Sequence, residues 1–387
     1  MAKAANAEPD AWLHRLAFAF MFCAAGHACS AASQVEPWGA TQDGTKIERV
    51  TLQNDRGMRL SYIDYGATIT SVEVPDRQGK LQNVMLSLPD LASYERTKRR
   101  FAAIMGRYAG RIGNARFTLG DRTIALVPRA NGVAMHGDPN GYDRRIWSRK
   151  DFSDSTSIGS VFHLISPDGD QNFPGRLDVS VTYRLFRKSN EFRIEYAAKT
   201  DAPTVLNLTN HGYFNLAGAG STGLGTHTFQ IMADRFAETD AKRVPTGVIL
   251  SVAGTPLDFQ KPSSMTERLA AAPALLGNPA GFDHSLLFSR STHQLALVAV
   301  IDETLSGRRM QVLTTEPSVQ LNSGNGFDGS EIGSEGLGYQ RYDGFAFETQ
   351  HLPDSPNHPG FPSTILVPGK VFRSVTGFRF SIVPRGL

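Results

Sequence analysis

Apolar and polar residues alternate with a period of two along most of the chain from residue 47 onward, and this alternation predicts β-strands. The clearest example is residues 177–185, where every odd position is apolar, and residues 192–196 repeat the pattern shortly afterwards. These two runs predict an antiparallel hairpin with one buried face. Similar runs predict further strands at 59–74, 228–233, 295–302, 310–314 and 378–383.

Helical patterns are few and short. Residues 91–100 and 265–276 are the two candidates, and the second contains Pro273. The 37 glycines and 21 prolines are scattered between the predicted strands. This arrangement favours an all-β fold, a large antiparallel β-sandwich with few short helices, over alternating βαβ units. Because no linker or fixed-period repeat divides the chain, we expect one domain over residues 36–387.

Composition supports a folded core and excludes several function classes. The chain has 387 residues, of which 41 % are hydrophobic and 20 % are charged, so wholesale disorder is excluded. The formal net charge is +3, and only residues 98–100 form a basic run. Such a run is typical of a solvated helix face or loop, so we expect no nucleic-acid partner.

The first 33 residues have the features of a leader. Ten apolar residues at 16–25 are too few to span a bilayer, but they suit the core of a signal peptide. Glu8 and Asp10, which precede them, leave open a cytoplasmic extension. We expect residues 1–33 to be a signal peptide or disordered leader and the protein to be periplasmic or secreted, with a cytoplasmic location as the alternative and no other membrane association.

Both cysteines, Cys23 and Cys29, lie in this leader. The remainder of the chain therefore has no disulfide, cysteine zinc site or cysteine nucleophile. Lipid modification of Cys29 is a further possibility, although the residues before it match a lipoprotein signal poorly.

Several motifs of known function are absent, incomplete or in the wrong structural context. Two G-x-G-x-x-G matches, at 218–223 and 324–329, do not open a helix after a predicted strand, which argues against a dinucleotide site. A calcium-loop-like start at Asp168 has Phe173 where glycine is required. The chain contains no H-E-x-x-H, G-x-S-x-G or Walker lysine. We therefore expect no cofactor and no metal.

Polar residues in apolar surroundings remain as candidates for catalytic residues. His211 lies between asparagines and apolar residues, and Glu348 directly follows an apolar strand-like run. If Phe345 and Phe347 point to one face of a strand, Glu348 points to the other face, beside Ala346. Taken alone, His211 could equally be a structural histidine and Glu348 a solvated edge residue.

The motifs around these residues resemble the aldose 1-epimerases, also called galactose mutarotases. The similarity covers nearly the whole body, in the same order along the chain. Its matching segments are 106–117 (GRYAGRIGNARF), 166–175, 207–216 (NLTNHGYFNL), 244–249, 254–259, 281–284, 314–320 and 348–366. The resemblance implies a β-supersandwich that interconverts the α and β anomers of a free hexose such as galactose or glucose. It further implies a monomer or homodimer whose partner is a small-molecule sugar and which needs no cofactor.

The resemblance also implies residue roles. Glu348 matches the general base that takes the proton from the hydroxyl on C1, and His211 matches the general acid that protonates the ring oxygen. Four further positions match the family's sugar-contacting residues: Arg111, His136, Asp283 and Gln320. On the residues alone, proximity of Arg111 and His136 could be a surface coincidence.

The chemistry of a hemiacetal agrees with this assignment. Ring opening removes a proton from the anomeric oxygen and delivers one to the ring oxygen, so we expect a base and an acid on opposite sides of the sugar. Rotation about C1–C2 and reclosure then give the other anomer. A neutral sugar also presents C–H faces that need an apolar wall, for which Tyr213 and Phe282 are candidates, although either could equally be a core residue.

Departures from the family pattern leave the sugar preference open. Gly110 stands where asparagine is usual, and Val133, Met135 and Asp138 depart from the pattern around His136. A usual glycine is replaced by Asn172. One alternative is an enzyme for a hexose 6-phosphate, which would need an Arg or Lys cluster aimed at the dianion. Another is a sugar-binding module that kept the fold and lost turnover.

Overall fold

A computed structural model describes residues 31–271, 273–277, 280–289 and 294–384. The predicted signal-peptide core at 16–25, Cys23 and Cys29 lie outside these residues. Within the described ranges, no helix has both the length and the apolarity needed to cross a membrane.

Strands of short and medium length are the main regular structure of the described chain. The first ten are β1 (Ala32–Ala40), β2 (Lys46–Gln53), β3 (Arg59–Ile63), β4 (Thr68–Pro75), β5 (Leu81–Asn83), β6 (Ile104–Met105), β7 (Arg111–Ile112), β8 (Arg116–Leu119), β9 (Arg122–Ala125) and β10 (Ala134–Met135). The next ten are β11 (Ser148–Ser153), β12 (Ser157–Ser166), β13 (Leu177–Phe186), β14 (Glu191–Thr200), β15 (Thr204–Val205), β16 (Thr209–Asn210), β17 (Tyr213–Phe214), β18 (His227–Ile231), β19 (Ala233–Thr239) and β20 (Pro245–Ser251). The last eight are β21 (Ser263–Ser264), β22 (Asp283–Phe288), β23 (Ala296–Glu303), β24 (Arg308–Thr314), β25 (Ser318–Asn322), β26 (Phe345–Gln350), β27 (Ile365–Leu366) and β28 (Phe372–Ile382).

Helices are short, as the sequence predicts. The α-helices are α1 (Leu91–Arg96), α2 (Met265–Ala271) and α3 (Pro273–Leu276), and the 3-10 helices span Gly113–Ala115, Tyr142–Arg144, Asp170–Asn172 and Ser355–Asn357. The helix predicted over 91–100 begins at Leu91 and is capped by Asp90, whose side chain accepts a 2.8 Å hydrogen bond from the Ser93 amide. It ends four residues early, because Thr97 is already extended. The helix predicted over 265–276 is helical at 265–271 and 273–276, and the residue between these two segments lies outside the described residues.

Three antiparallel sheets form the body. The largest has the order β11-β12-β13-β14-β28-β24-β23-β18-β21, a second has the order β17-β26-β25-β22-β19-β20, and a third has β1 to β5 in sequence order. The predicted hairpin is confirmed: β13 pairs antiparallel with β14 from Leu177–Thr200 to Leu185–Phe192. The all-β sandwich prediction is confirmed as well.

One large apolar cluster joins the three sheets. Val181 and Val312 contribute from the nine-stranded sheet, Leu286 and Phe345 from the six-stranded sheet, and Leu60 from the five-stranded sheet, all buried. Each fully buried aliphatic or aromatic side chain contributes roughly 1.5–3 kcal/mol of transfer free energy. This core fixes the six-stranded sheet, whose other face carries the polar residues described next.

Candidate active site

Three neighbouring strands of the six-stranded sheet present polar side chains on one face. Gln320 on β25 lies directly opposite Ser285 on β22 and Glu348 on β26 in the strand register. Phe345 and Phe347 belong to the main core cluster, so Glu348 points away from that core, as alternation predicts. We call Ser285, Gln320 and Glu348, together with Asp283 at the start of β22, the strand wall.

His211 directly follows β16, and Tyr213 is the first residue of β17. Tyr213 pairs with Ala346, two residues before Glu348, so it lies on the same face as Glu348. The His211 amide donates to the Ala103 carbonyl at 3.0 Å, and the Ala102 amide donates to the His211 carbonyl at 2.9 Å. The ring centroids of His211 and Tyr213 are 5.1 Å apart. Backbone hydrogen bonds and ring packing therefore orient the His211 imidazole.

His211 and Glu348 face each other inside the protein. Their Nε2 and Oε1 atoms are 3.5 Å apart, and both side chains are at least nine-tenths buried. The other polar atoms, His211 Nδ1 and Glu348 Oε2, are buried without a hydrogen-bond partner among the described residues. Unsatisfied buried polar atoms are uncommon and call for a functional explanation. The expected placement on opposite sides of a sugar differs from this side-by-side arrangement.

Burial shifts the pKa values of both groups toward their neutral forms. Desolvation, aided by Asp283, raises the pKa of Glu348 to about 8, against the opposing effect of Arg111 and Arg100. Desolvation, aided by Arg100, lowers the pKa of His211 to about 4. Between these two values the pair holds one proton in total, and burial favours that proton on Glu348. A pair with one shared proton can give a proton to one oxygen while it takes a proton from another.

Asp283 is held in place by two of the predicted sugar-contacting residues. Arg111 donates to its Oδ2 at 3.0 Å, and Gln320 Nε2 donates to its Oδ1 at 2.7 Å. Ser285 Oγ donates in turn to Gln320 Oε1 at 2.5 Å. Burial alone would raise the pKa of Asp283, but Arg111 and the Gln320 hydrogen bond lower it below its ordinary value. Asp283 is therefore an ionised, oriented hydrogen-bond acceptor.

His136 is presented by a loop in an uncommon backbone conformation. Its φ is +55°, and its Nδ1 accepts a 3.1 Å hydrogen bond from the Gly110 amide. Burial, aided by Arg100, lowers its pKa well below the ordinary value, so the ring is neutral and carries its hydrogen on Nε2. Its ring centroid lies 5.4 Å from that of His211. His136 thus offers a neutral N–H donor beside the central pair.

A cavity of about 940 Å³ brings the predicted residues together. All seven residues predicted for the site line it: Arg111, His136, His211, Tyr213, Asp283, Gln320 and Glu348. Of the two alternatives for Phe282, the structure favours a core residue over a wall residue, because Phe282 is fully buried and packs edge-on against Phe259.

Other residues that line the cavity were not predicted from the sequence, among them Arg100, Arg129, Arg243, Asn322 and Gln350. Gln350 lies two residues after Glu348 on the same strand, so alternation could have placed it on the same face. No local pattern identifies Arg243, because only the folding of the chain brings it to the cavity. Arg100 is 9 % exposed, so the basic run at 98–100 is not wholly solvated as the sequence suggested.

Three of the lining residues have donor atoms that could hold a metal ion. The ligand atoms of His136, His211 and Glu348 lie within 4.8 Å of one another. Two imidazoles and one carboxylate would suit a divalent ion such as zinc by donor type. His136 Nδ1 is already engaged by the Gly110 amide, which leaves Nε2 as its ligand atom. That the site works without a metal stays a prediction.

Comparison with known proteins identifies relatives over most of the chain. The family model described as Aldose 1-epimerase matches residues 48–379. Galactose mutarotase of Bos taurus is 38 % identical over 336 residues, covering 87 % of this chain and 94 % of the relative. Aldose 1-epimerase of Escherichia coli K12 is 35 % identical over 341 residues, covering 87 % and 96 %.

Solved structures show the same architecture. A galactose 1-epimerase from Lactobacillus acidophilus superposes with a TM-score of 0.81 at 25 % identity, covering 92 % of this chain and all of that one. A GalM/aldose epimerase homologue from C. elegans superposes with a TM-score of 0.78 at 27 % identity, covering 91 % of this chain and all of that one. The sequence matches and the superpositions agree on the extent of the shared fold.

Proposed function

The chain belongs to the aldose 1-epimerase family, and on that premise we propose that it interconverts the α and β anomers of free hexoses, galactose and glucose, by acid–base ring opening and reclosure. The observation that carries this proposal is the contact of His211 with Glu348, 3.5 Å apart and buried, in a cavity lined by hydrogen-bonding groups. The reaction moves protons and one C–O bond only, so the enzyme is an isomerase.

We assign Glu348 as the general base and His211 as the general acid. Glu348 takes the proton of the C1 hydroxyl, His211 gives its proton to the ring oxygen, and the bond between C1 and the ring oxygen breaks to leave the open-chain aldehyde. After rotation about C1–C2, the reverse transfers close the ring on the other face. Because both oxygens are bonded to C1, an acid and a base at this short separation can reach both of them.

The number of protons on the His211–Glu348 pair agrees with this assignment. Ring opening adds one proton to Glu348 and removes one from His211, so the pair holds one proton before and after the step. Burial alone favours that proton on Glu348. A hydrogen bond from the sugar's C1 hydroxyl to the carboxylate, with Arg111 nearby, stabilises the ionised form needed at the start. The ring-opened sugar then faces a neutral pair.

The other predicted residues would hold the sugar. Asp283 and Gln320 offer an oriented carboxylate and amide, which suit neighbouring hydroxyl groups. Arg111 and His136 add donors, and the Tyr213 ring supplies an apolar face for sugar C–H groups. Together with His211 and Glu348, these residues surround a pyranose with directional contacts.

Polarimetry tests the proposal directly. Freshly dissolved α-galactose and α-glucose relax to the anomeric equilibrium slowly without a catalyst, and we expect the protein to speed this relaxation in proportion to its concentration. Relaxation no faster than the blank, with sugar binding still detectable by calorimetry, would instead assign the protein as a sugar-binding module of the same fold.

We also propose that residues 36–387 act as one catalytic domain, exported after removal of the leader at 1–33. The family match over residues 48–379 supports the first statement, and the apolar stretch at 16–25 supports the second. Mass spectrometry of the protein recovered from the periplasm or medium tests both, and the full-length mass in the cytoplasm would contradict export. Light scattering tests whether the protein is a monomer or homodimer.

A further inference from the structure

The cavity has a strong excess of positive charge. Seven cationic side chains line it, against the three acidic residues Asp138, Asp283 and Glu348. The cationic residues are Lys98, Arg99, Arg100, Arg111, Arg129, Arg144 and Arg243. A neutral hexose brings no charge to balance this excess, and recognition of its hydroxyls does not require it.

Two acidic residues only partly neutralise the cations on the loop side of the cavity. Asp138 pairs with both Arg100 and Arg129. Asp143 lies 3.5 Å from Arg100 and 3.6 Å from Arg144. Each carboxylate is thus shared between two guanidinium groups, which leaves the group as a whole positive.

Lys98 and Arg99 complete the positive side of the cavity. Neither forms an ion pair with a described residue. Lys98 is exposed, and Arg99 is half-buried. The Arg99 guanidinium fills the space beside Gly326 that a side chain at position 326 would occupy. Arg99 and Gly326 both line the cavity. These two residues offer cationic donors to a ligand.

The basic run is tied to the acid of the catalytic pair. Ala102 and Ala103 exchange backbone hydrogen bonds with His211, at 2.9 and 3.0 Å. Arg100, two residues earlier, has a left-handed φ of +56° and lines the cavity. Arg100, the last residue of the segment 98–100 that we call the basic run, therefore lies near enough to His211 to act on its charge.

The bonding order of a pyranose ring determines which part of the sugar lies next to the basic run. His211 serves the ring oxygen, and the ring oxygen is bonded to C5, which carries C6. The C6 substituent therefore lies on the His211 side of the sugar. The proposed roles of His211 and Glu348 thus orient C6 toward residues 98–100.

We propose that the basic run, with Arg129, forms a subsite for an anionic group at C6, so that the enzyme accepts hexoses that carry a carboxylate or phosphate there. This inference rests on the proposed function, since it uses the same cavity and the same catalytic pair. The anion takes no part in bond making or breaking. It is held by charge-assisted hydrogen bonds, for which a guanidinium suits carboxylate and phosphate oxygens equally.

The test compares kcat/KM for galactose, galacturonate and galactose 6-phosphate by polarimetry. At low ionic strength we expect at least one anionic sugar to exceed galactose by about 3–10-fold, the scale of a partly exposed ion pair. Because salt screens charge, 0.5 M NaCl should reduce that advantage, with a smaller effect on galactose. Preference for galacturonate identifies a carboxylate as the ligand, and preference for galactose 6-phosphate identifies a phosphate.

Matched variants separate this subsite from general effects of charge. Lys98→Gln with Arg99→Gln should lower kcat/KM for the preferred anionic sugar about 5-fold more than for galactose. Arg96→Gln removes a charge on the neighbouring turn of α1, where Arg96 is exposed, bonds to Ser93 and does not line the cavity. That variant should keep the anionic preference.

The outcomes are distinguishable. Turnover of galactose with equal or slower turnover of both anionic sugars would overturn the anion subsite and leave the proposed function intact. Equal losses for galactose and the anionic sugar in the double variant would also overturn it. Turnover of none of the three sugars would overturn the proposed function itself.

Discussion

The two sides of the cavity are built in different ways. The strand wall stands on extended backbone, where the register of β22, β25 and β26 fixes which side chains are neighbours. Another part of the lining, which we call the loop wall, consists of residues 98–100 with His136 and Asp138, where Arg100 and His136 have φ of +56° and +55°. Non-glycine residues in this conformation cost about 1–3 kcal/mol each, so the surrounding structure must hold them there.

The difference between the two walls separates the residues that carry out the reaction from those that select the sugar. The strand wall carries Glu348, whose motif matches the family, whereas Asp138 in the loop wall departs from it. Strand pairing holds the carboxylate rigidly, because Glu348 is paired in register with Gln320. Loops tolerate substitution, so sugar preference can change there while the catalytic pair stays in place.

Removal of the carboxylate from the strand wall should have the largest effect. We expect Glu348→Gln to slow anomer exchange by ~10²–10⁴, because the amide cannot accept the C1 proton. Stopped-flow polarimetry with galactose measures the rate. Glu267→Gln, at an exposed position on α2, serves as the control and should keep the parental rate. A Glu348→Gln rate within a few-fold of the parent would remove Glu348 from the role of base.

Removal of the acid should cost a similar factor, and the two losses should not add. We expect His211→Asn to slow exchange by ~10²–10⁴, and the double variant with Glu348→Gln to be about as slow as the slower single variant, since the two residues act as a unit. The same polarimetric assay serves all three proteins. A double variant slower by the product of the single losses would show that the residues act independently.

Loss of a sugar-positioning group should have an intermediate effect. Asp283→Asn removes the charge that pairs with Arg111 at 3.0 Å. A charge-assisted hydrogen bond contributes roughly 1.5–3 kcal/mol, so we expect kcat/KM to fall about 10–100-fold, mostly through KM. Initial rates over a range of galactose concentrations measure both constants. A loss confined to kcat would instead give Asp283 a part in the proton transfers.

The smallest effect concerns stability at the border of the loop wall. Gly110 has φ +82°, and a side chain there would come within 2.9 Å of Pro353. We expect Gly110→Ala to lower the free energy of unfolding by about 1–3 kcal/mol. Gly44→Ala is the control, because Gly44 has φ +86° and no atom within 4 Å of an added side chain. Urea unfolding should show the larger loss for Gly110→Ala, and equal losses would remove the contact with Pro353 as a cause.

Local patterns predict the strand wall better than the loop wall. Alternation around Phe345 and Phe347 places Glu348 on the polar face, and the hairpin of β13 and β14 follows from the same rule. The 3.5 Å contact of Glu348 with His211 does not follow, since it depends on how distant strands pair. The burial of Arg100 depends on a left-handed backbone that no short pattern encodes. Similarity to a family supplies roles for residues whose positions physics alone leaves open.

The pH dependence of kcat/KM tests the central claim, that His211 and Glu348 act as one pair sharing a single proton. The pair gains a second proton as the pH falls through the His211 pKa of about 4, and loses its last proton as the pH rises through the Glu348 pKa of about 8. We therefore predict a bell-shaped profile for galactose with limbs near these values. A profile that stays flat from pH 4 to 9 would contradict the account.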